Sequence, residues 1–152
     1  EMLSAANLAP SWKNSQTPRF YVATGEKSKN AVREALPEFN RKNSENASAY
    51  IVTTVVLNRS GFDKDGTAVT EIGNGWGYYD LGLNNMALLL KATELGISTL
   101  VMGIRDGEKL RKEFDIPKTE AVVSVIAVGY TDSEIVRPKR KSVEDFAKFY
   151  ED

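Results

Sequence analysis

The sequence contains neither cysteine nor histidine in its 152 residues. These two absences exclude a disulfide framework, a Cys/His zinc site, a thiolate nucleophile and a Ser-His-Asp triad. Any chemistry must therefore come from carboxylates, hydroxyls, amines or a bound cofactor.

An excess of charge of one sign is also missing, since 20 Lys and Arg oppose 21 Asp and Glu for a formal net charge of −1. Nucleic-acid binders usually show a strong basic excess, so we expect no nucleic-acid partner. No apolar run approaches the ~18 residues of a membrane helix and no signal peptide opens the chain, so we expect no membrane partner and a cytoplasmic location. The length is typical of one domain, here residues 1–152.

The pattern of apolar residues predicts alternating strands and helices. Short β-branched and aromatic runs predict strands at 19–24, 50–57, 97–102 and 121–128. Helical spacing predicts helices at 1–9, 27–39, 78–95 and 108–114, and Ser142 is a suitable N-cap for another at 143–150. Residues 58–77 are rich in turn residues and predict an irregular excursion or a small hairpin. The alternation favours an α/β or α+β domain with a helix-covered sheet.

Two of these helices carry further information. The helix at 1–9 has no preceding N-cap, so we expect the domain to lack an N-terminal segment. The helix at 78–95 has apolar residues on more than one face. Such a helix is buried on most sides, either centrally or in a subunit interface.

Most local motifs have an ordinary structural interpretation. Asp63 to Gly66 fits a turn better than a calcium loop, because no Glu stands at the twelfth position. Gly73 to Gly77 lacks the spacing of a dinucleotide fingerprint, and no phosphate-binding loop motif is present. The basic cluster 137–141 (RPKRK) is either a solvated surface run or a phosphate grip, and its residues alone leave both open.

Taken together, the motifs resemble the FMN-dependent nitroreductase family. The run from Ala9 to Phe20 (APSWKNSQTPRF) is similar to the family signature A-P-S-x-x-N-x-Q-P-W-x-F. The resemblance continues in order through Asn40, the long helix from Asp80 to Gly96, the segment 100–103, the strand ending at 128–130 and the late basic cluster. It covers nearly the whole chain.

This resemblance implies a fold and an activity. The expected fold is an α+β sandwich, a central mixed sheet covered by helices, in a homodimer that holds FMN at the subunit interface. The expected activity takes hydride from NADH or NADPH onto the flavin and passes electrons to a nitroaromatic, a quinone or a similar acceptor by a ping-pong mechanism. Because the cofactor carries the chemistry, no side chain of the protein is expected to act as a catalytic residue.

The resemblance also implies which residues bind the cofactor. Ser11, Trp12 and Asn14 are expected to face the flavin from one subunit, and Asn40 to hydrogen-bond the ring or the ribityl chain. Met102, Gly103 and Ile104 are expected beside the reactive face, the glycine allowing close approach of the backbone. Lys139 and Arg140 are expected to grip the phosphate, with Arg137 and Lys141 as alternatives in register.

The sequence departs from the family pattern in two places. Thr17-Pro18-Arg19 replaces the usual Pro-Trp pair, and the N-terminal R-R-S-x-R element that supplies phosphate-binding arginines is absent from this chain. The second departure keeps an alternative open, a flavin-binding or interaction protein of the same fold without turnover. No residue selects the acceptor, or NADH over NADPH.

Overall fold

A computed structural model of the chain describes residues 1–134 and 136–151. Its sheet has four strands in the order β1-β2-β4-β3, and each neighbouring pair is antiparallel. The strands are β1 (Pro18–Ala23), β2 (Ala49–Val56), β3 (Ser98–Met102) and β4 (Glu120–Gly129). A mixed sheet was expected. The described strands correct this, because β2 and β3 run in the same direction but β4 lies between them.

Helices cover both faces of this sheet. They are α1 (Met2–Asn7), α2 (Glu26–Glu34), α3 (Glu38–Asn43), α4 (Gly75–Glu94) and α5 (Gly107–Glu113), with 3₁₀ turns at Trp12–Asn14 and Val143–Asp145. Every helix in the described ranges is too short or too polar to span a lipid bilayer.

Two apolar layers hold the sandwich together, and the alternation of side chains along β2 and β4 separates them. Tyr50, Val52 and Val125 point to the layer beneath α2 and α5. Ile51 and Ile126 point to the opposite layer, beneath α1 and α4. The predicted α+β sandwich is therefore confirmed, with β2 and β4 as its central strands.

The predicted helix at 27–39 is two helices. Pro37 stands between α2 and α3 with extended backbone angles and acts as the N-cap residue of α3. Proline disfavours helical angles at the residue before it and lacks the amide hydrogen that a continuous helix needs. α3 therefore begins as a separate helix at Glu38.

The long helix α4 begins at Gly75, three residues before the predicted start. The glycines there were interpreted as turn residues. A Cβ atom on Gly77 would lie 2.8 Å from Cγ2 of Val55. Gly77 is therefore a packing residue that lets the first turn of α4 lie directly on β2.

The predicted helix at 143–150 is wrong, because only the 3₁₀ turn Val143–Asp145 forms there. Ser142 does begin that turn, and its backbone N–H donates to the Asp145 carboxylate at 3.0 Å. Phe146, Phe149 and Tyr150 beyond it are all exposed. A short helix is stable mainly through a buried face, which this segment lacks in the single chain.

Candidate functional site

The loop that precedes β1 has an unusual backbone. Lys13, Asn14 and Gln16 have φ angles of 45°, 55° and 48°. A left-handed conformation costs roughly 1–2 kcal/mol for a residue with a side chain, although asparagine tolerates it better. Hydrogen bonds inside the loop offset this cost, among them the bond of 3.0 Å from the Gln16 backbone N–H to Ser11 Oγ. Residues in such strained conformations cluster at functional sites.

A buried carboxylate on α4 anchors this loop. The backbone N–H of Trp12 lies 3.1 Å from both carboxylate oxygens of Asp80. The Ser60 hydroxyl also donates to this carboxylate, and the Ser15 hydroxyl donates to Ser60 Oγ at 3.2 Å. Asp80 itself is 2% exposed.

Aromatic side chains surround the anchored loop. The ring centroids of Trp12 and Trp76 are 4.7 Å apart, and those of Trp76 and Tyr79 are 5.9 Å apart. The indole N–H of Trp76 donates to the Thr70 hydroxyl at 2.8 Å. The indole N–H of Trp12 is buried and has no acceptor among the described residues.

The second group of predicted residues meets at the end of β3. Nδ2 of Asn40, on α3, donates a hydrogen bond of 3.2 Å to the carbonyl oxygen of Ile104. The Ile104 side chain is 74% exposed, whereas that of Met102 is 2% exposed and belongs to the core. Met102 can therefore offer a ligand only its backbone.

Gly103 lies in open space between these two residues. A Cβ atom at this position would meet nothing within 4 Å, and its φ angle lies outside the left-handed region. The chain's own packing therefore does not require glycine here. The missing side chain leaves backbone open to a group that approaches from outside the chain.

These two groups share one end of the sheet but lie at opposite edges. Pro18 begins β1 opposite Val55, and Met102 ends β3 opposite Val125. Three strand spacings separate the two edges, which is about 14 Å. A single chain thus brings Asn40 to Ile104, but it does not bring Ser11, Trp12 or Asn14 to them.

The predicted phosphate-binding residues lie outside the helices and strands of the fold. Arg137, Lys139, Arg140 and Lys141 are exposed in an irregular segment after β4. None of these four forms an ion pair within the described ranges.

A cleft of about 400 Å³ opens at the other end of β3, and the sequence analysis missed it. Residues 42–47 after α3 form one wall, the start of β3 at Ser98 to Leu100 forms another, and the end of β4 through Thr131 completes it. These residues are mostly small and polar, so no local motif marks them. Only the antiparallel pairing of β3 with β4 brings them together.

A second buried carboxylate lies where β4 begins. The Tyr21 hydroxyl donates to Oε2 of Glu120 at 2.9 Å, and Thr54 Oγ1 donates to the same oxygen at 2.5 Å. Burial of the phenol, and next the hydrogen bond to Glu120, raise the pKa of Tyr21 from 10.0 to about 12. This cluster ties β1, β2 and β4 together.

Comparison with known proteins decides the family. A model of the nitroreductase family matches residues 1–130. The chain belongs to the nitroreductase family. The resemblance in the sequence is thereby confirmed, and membership supports an oxidoreductase. No curated protein matches the sequence.

Solved structures share this fold, among them two nitroreductases and an enone reductase. The nitroreductase family protein from Streptococcus pneumoniae TIGR4 is 21% identical, with a TM-score of 0.81 over 98% of this chain and 86% of that chain. A putative nitroreductase from Exiguobacterium sibiricum 255-15, in complex with FMN, is 22% identical, with a TM-score of 0.83 over 98% and 84%. A gut-bacterial enone reductase of fatty acid saturation is 20% identical, with a TM-score of 0.83 over 97% and 84%.

The residues present fit a flavin mononucleotide. Asn40 retains its amide oxygen and one amide hydrogen for a ligand, and the Trp12 indole N–H is a buried donor without an acceptor from the described residues. Neutral donors and acceptors of this kind suit the mixed polar edge of a flavin ring. The open backbone at Gly103 suits close approach of its face.

Proposed function

We propose that this chain is an FMN-dependent oxidoreductase that takes hydride from NADH or NADPH and reduces a nitroaromatic, a quinone or a similar acceptor by a ping-pong mechanism. The nitroreductase family match over residues 1–130 supports this activity. The FMN bound in the Exiguobacterium sibiricum relative supports the cofactor.

The observation that carries the proposal is the contact between Asn40 and Ile104 beside the open backbone of Gly103. When FMN is bound, its isoalloxazine accepts the hydride and passes the electrons on. Asn40 would hold the ring through its remaining amide groups, and the backbone of Gly103 and Ile104 would lie against it. Met102 fixes this backbone by anchoring its side chain in the core.

The edge of β3 is the proposed site for the rest of the cofactor. Five residues of strand span about 16 Å, from Ile104 and Asn40 at one end to the cleft at the other. An elongated ligand held with its ring at the first end would have its phosphate toward the cleft, which Thr131 lines. The chain continues from there to Lys139 and Arg140, whose cationic groups are the proposed partners of the phosphate.

The proposed working unit is a homodimer. α4 presents an exposed apolar stripe of Tyr79, Met86 and Leu90 on the side away from its buried residues. Large unpaired apolar surfaces of this kind mark interaction sites, and a second copy of the chain is the proposed occupant. In such a dimer the loop with Ser11, Trp12 and Asn14 would reach the flavin held by the other protomer, which is consistent with the position of the two groups at opposite edges of one chain.

The test begins with the absorbance spectrum of the purified protein, with and without added FMN. Bound flavin that is bleached by NADH or NADPH without oxygen, and restored by a quinone or a nitrofuran, is the expected result. A protein that carries no flavin and gains none would refute the proposal. Flavin that binds tightly but is bleached by neither nicotinamide would favour the alternative of a binding protein without turnover.

A further inference from the structure

Asp80 is buried without a cation to balance its charge. Its side chain is 2% exposed, and it forms no ion pair in the part of the chain that the structure describes. Burial of a carboxylate is costly unless hydrogen bonds compensate it. Here the compensation comes from the Trp12 backbone N–H and the Ser60 hydroxyl.

One of these donors, the Trp12 N–H, belongs to the strained loop, and the other, the Ser60 hydroxyl, accepts a hydrogen bond from it. The Trp12 N–H begins the 3₁₀ turn, and Ser15, just after that turn, donates to the same Ser60 hydroxyl that donates to Asp80. The carboxylate therefore holds the two ends of a turn that contains the left-handed residues Lys13 and Asn14. A backbone in sparsely populated angles persists only when its surroundings fix it.

We infer that Asp80 is a positioning residue for the cofactor. Its carboxylate fixes the Trp12 backbone to α4 and thereby holds Ser11, Trp12 and Asn14 in the conformation that meets the flavin. This inference rests on the proposed function. It adds a residue that touches no ligand and acts through the loop.

Two tryptophans give this inference a readout that needs no cofactor. The chain contains Trp12 and Trp76 and no other tryptophan, with ring centroids 4.7 Å apart and planes tilted by 46°. Two indoles this close and tilted produce an exciton couplet in the circular dichroism spectrum. Because Trp12 lies on the loop and Trp76 on α4, the couplet reports whether the loop is held in place.

The experiment compares Asp80→Ala with Asp80→Asn in the full chain. Asp80→Ala removes both acceptors, so we expect loss of the couplet and FMN affinity weakened by at least about tenfold. Asp80→Asn keeps one oxygen for the Trp12 N–H, so we expect the couplet to remain and FMN affinity to stay within about threefold of wild type. This rescue separates positioning from a role of the charge itself.

Ile116→Val is the matched control for stability. Ile116 is 3% exposed in the layer beneath α2 and α5, on the other side of the sheet from α4. We expect a lower melting temperature with an unchanged couplet and unchanged FMN affinity. Equal changes in Ile116→Val and Asp80→Ala would overturn the inference, since general loosening would then account for both.

Hydrogen exchange in the wild-type protein decides the matter even if Asp80→Ala does not fold. The Trp12 amide is bonded to Asp80, whereas the neighbouring Lys13 amide has no acceptor among the described residues. We expect slow exchange at Trp12 and fast exchange at Lys13, and equal rates would overturn the anchoring.

An Asp80→Ala protein that folds, loses the couplet and still binds FMN as wild type does would overturn the positioning role. A wild-type protein that binds no FMN refutes the proposed function instead, while the couplet and the exchange rates still report on the anchor.

Discussion

The Asn40 side chain donates a hydrogen bond to the carbonyl oxygen of Ile104, across 64 positions of the chain. The bond joins α3 to the segment that leaves β3. It uses one amide hydrogen of Asn40 and leaves the amide oxygen and the other hydrogen for a ligand. Asn40 thus has two roles: it fixes the backbone at the end of β3, and it offers polar groups to a ligand there.

Replacement of Asn40 tests this double task. In Asn40→Ala the Ile104 carbonyl loses its partner and the flavin loses a hydrogen bond. A typical hydrogen bond contributes about 0.5–1.5 kcal/mol, so FMN affinity is expected to fall about two- to tenfold. Fluorescence titration measures the FMN affinity. Asn30→Ala on α2, where the amide only accepts from Arg33, is the control and should bind as wild type does. Equal affinities in both variants would contradict the assigned role.

The basic segment is tested by Lys139→Ala with Arg140→Ala. Hydrogen bonds to charged groups contribute about 1.5–3 kcal/mol, so FMN affinity is expected to fall by at least about tenfold. Riboflavin, which lacks the phosphate, should bind the double variant and the wild type equally.

The control for the basic segment removes the same amount of charge elsewhere. Lys27 and Lys64 are exposed and lie outside the proposed site. Lys27→Ala with Lys64→Ala should leave FMN affinity unchanged. If both double variants lose affinity equally, net charge rather than a phosphate grip is responsible. If neither does, the basic segment is a solvated surface run.

The exposed stripe on α4 predicts the oligomeric state. Met86 and Leu90 are 51% and 59% exposed, so glutamates at these positions should be tolerated in a single chain and disfavoured in an apolar interface. Sedimentation equilibrium is expected to give twice the chain mass of 16.8 kDa for wild type and one chain mass for Met86→Glu with Leu90→Glu. Val69→Glu, an exposed position outside α4, is the control and should remain dimeric. A monomeric wild type would exclude this interface.

The raised pKa of Tyr21 predicts that the stability of the folded protein decreases at high pH. Its pKa is raised from 10.0 to about 12 in the folded protein, so the folded state holds the phenolic proton more tightly than the unfolded state does. The stabilisation is therefore complete below pH 10.0 and is lost as the pH rises toward about 12. Urea unfolding should show this decline in wild type and a shallower one in Tyr21→Phe. Tyr130→Phe, at an exposed tyrosine, should behave as wild type does. Parallel curves for all three proteins would contradict the prediction.

The sequence predicted the strands well because their signal is local. Tyr50 to Val56 and Ala121 to Val128 are runs of β-branched residues, and both form central strands within one or two residues of the predicted ends. The predicted helix boundaries were less accurate where packing against a distant part of the chain determines the local structure. Gly77 was interpreted as part of a turn because its reason for being glycine is Val55, 22 positions away.

The candidate site was predictable in its parts and not in its assembly. The family resemblance supplied Ser11, Asn40 and Lys139, but spacing alone gives no distance between them. Asn40, which meets Ile104, lies on the separate helix α3 that begins after Pro37, whereas the pattern of apolar residues predicted one continuous helix. Asp80 was part of the motif for the long helix, and its role as an anchor depends on a loop 68 positions away.

The position of β4 in the sheet has a consequence for how the chain is made. β2 ends at Val56, and the strand that pairs with its inner edge does not begin until Glu120, after α4, β3 and α5. A ribosome must therefore synthesise α4, β3 and α5 before the centre of the sheet can close, and pairing over such separations is slow. Until then β2 and β3 each expose an unpaired edge, which is a template for aggregation. We expect a chain stopped before residue 120 to be insoluble rather than merely shorter, because β4, which follows the other three described strands in the sequence, fills the middle of the sheet.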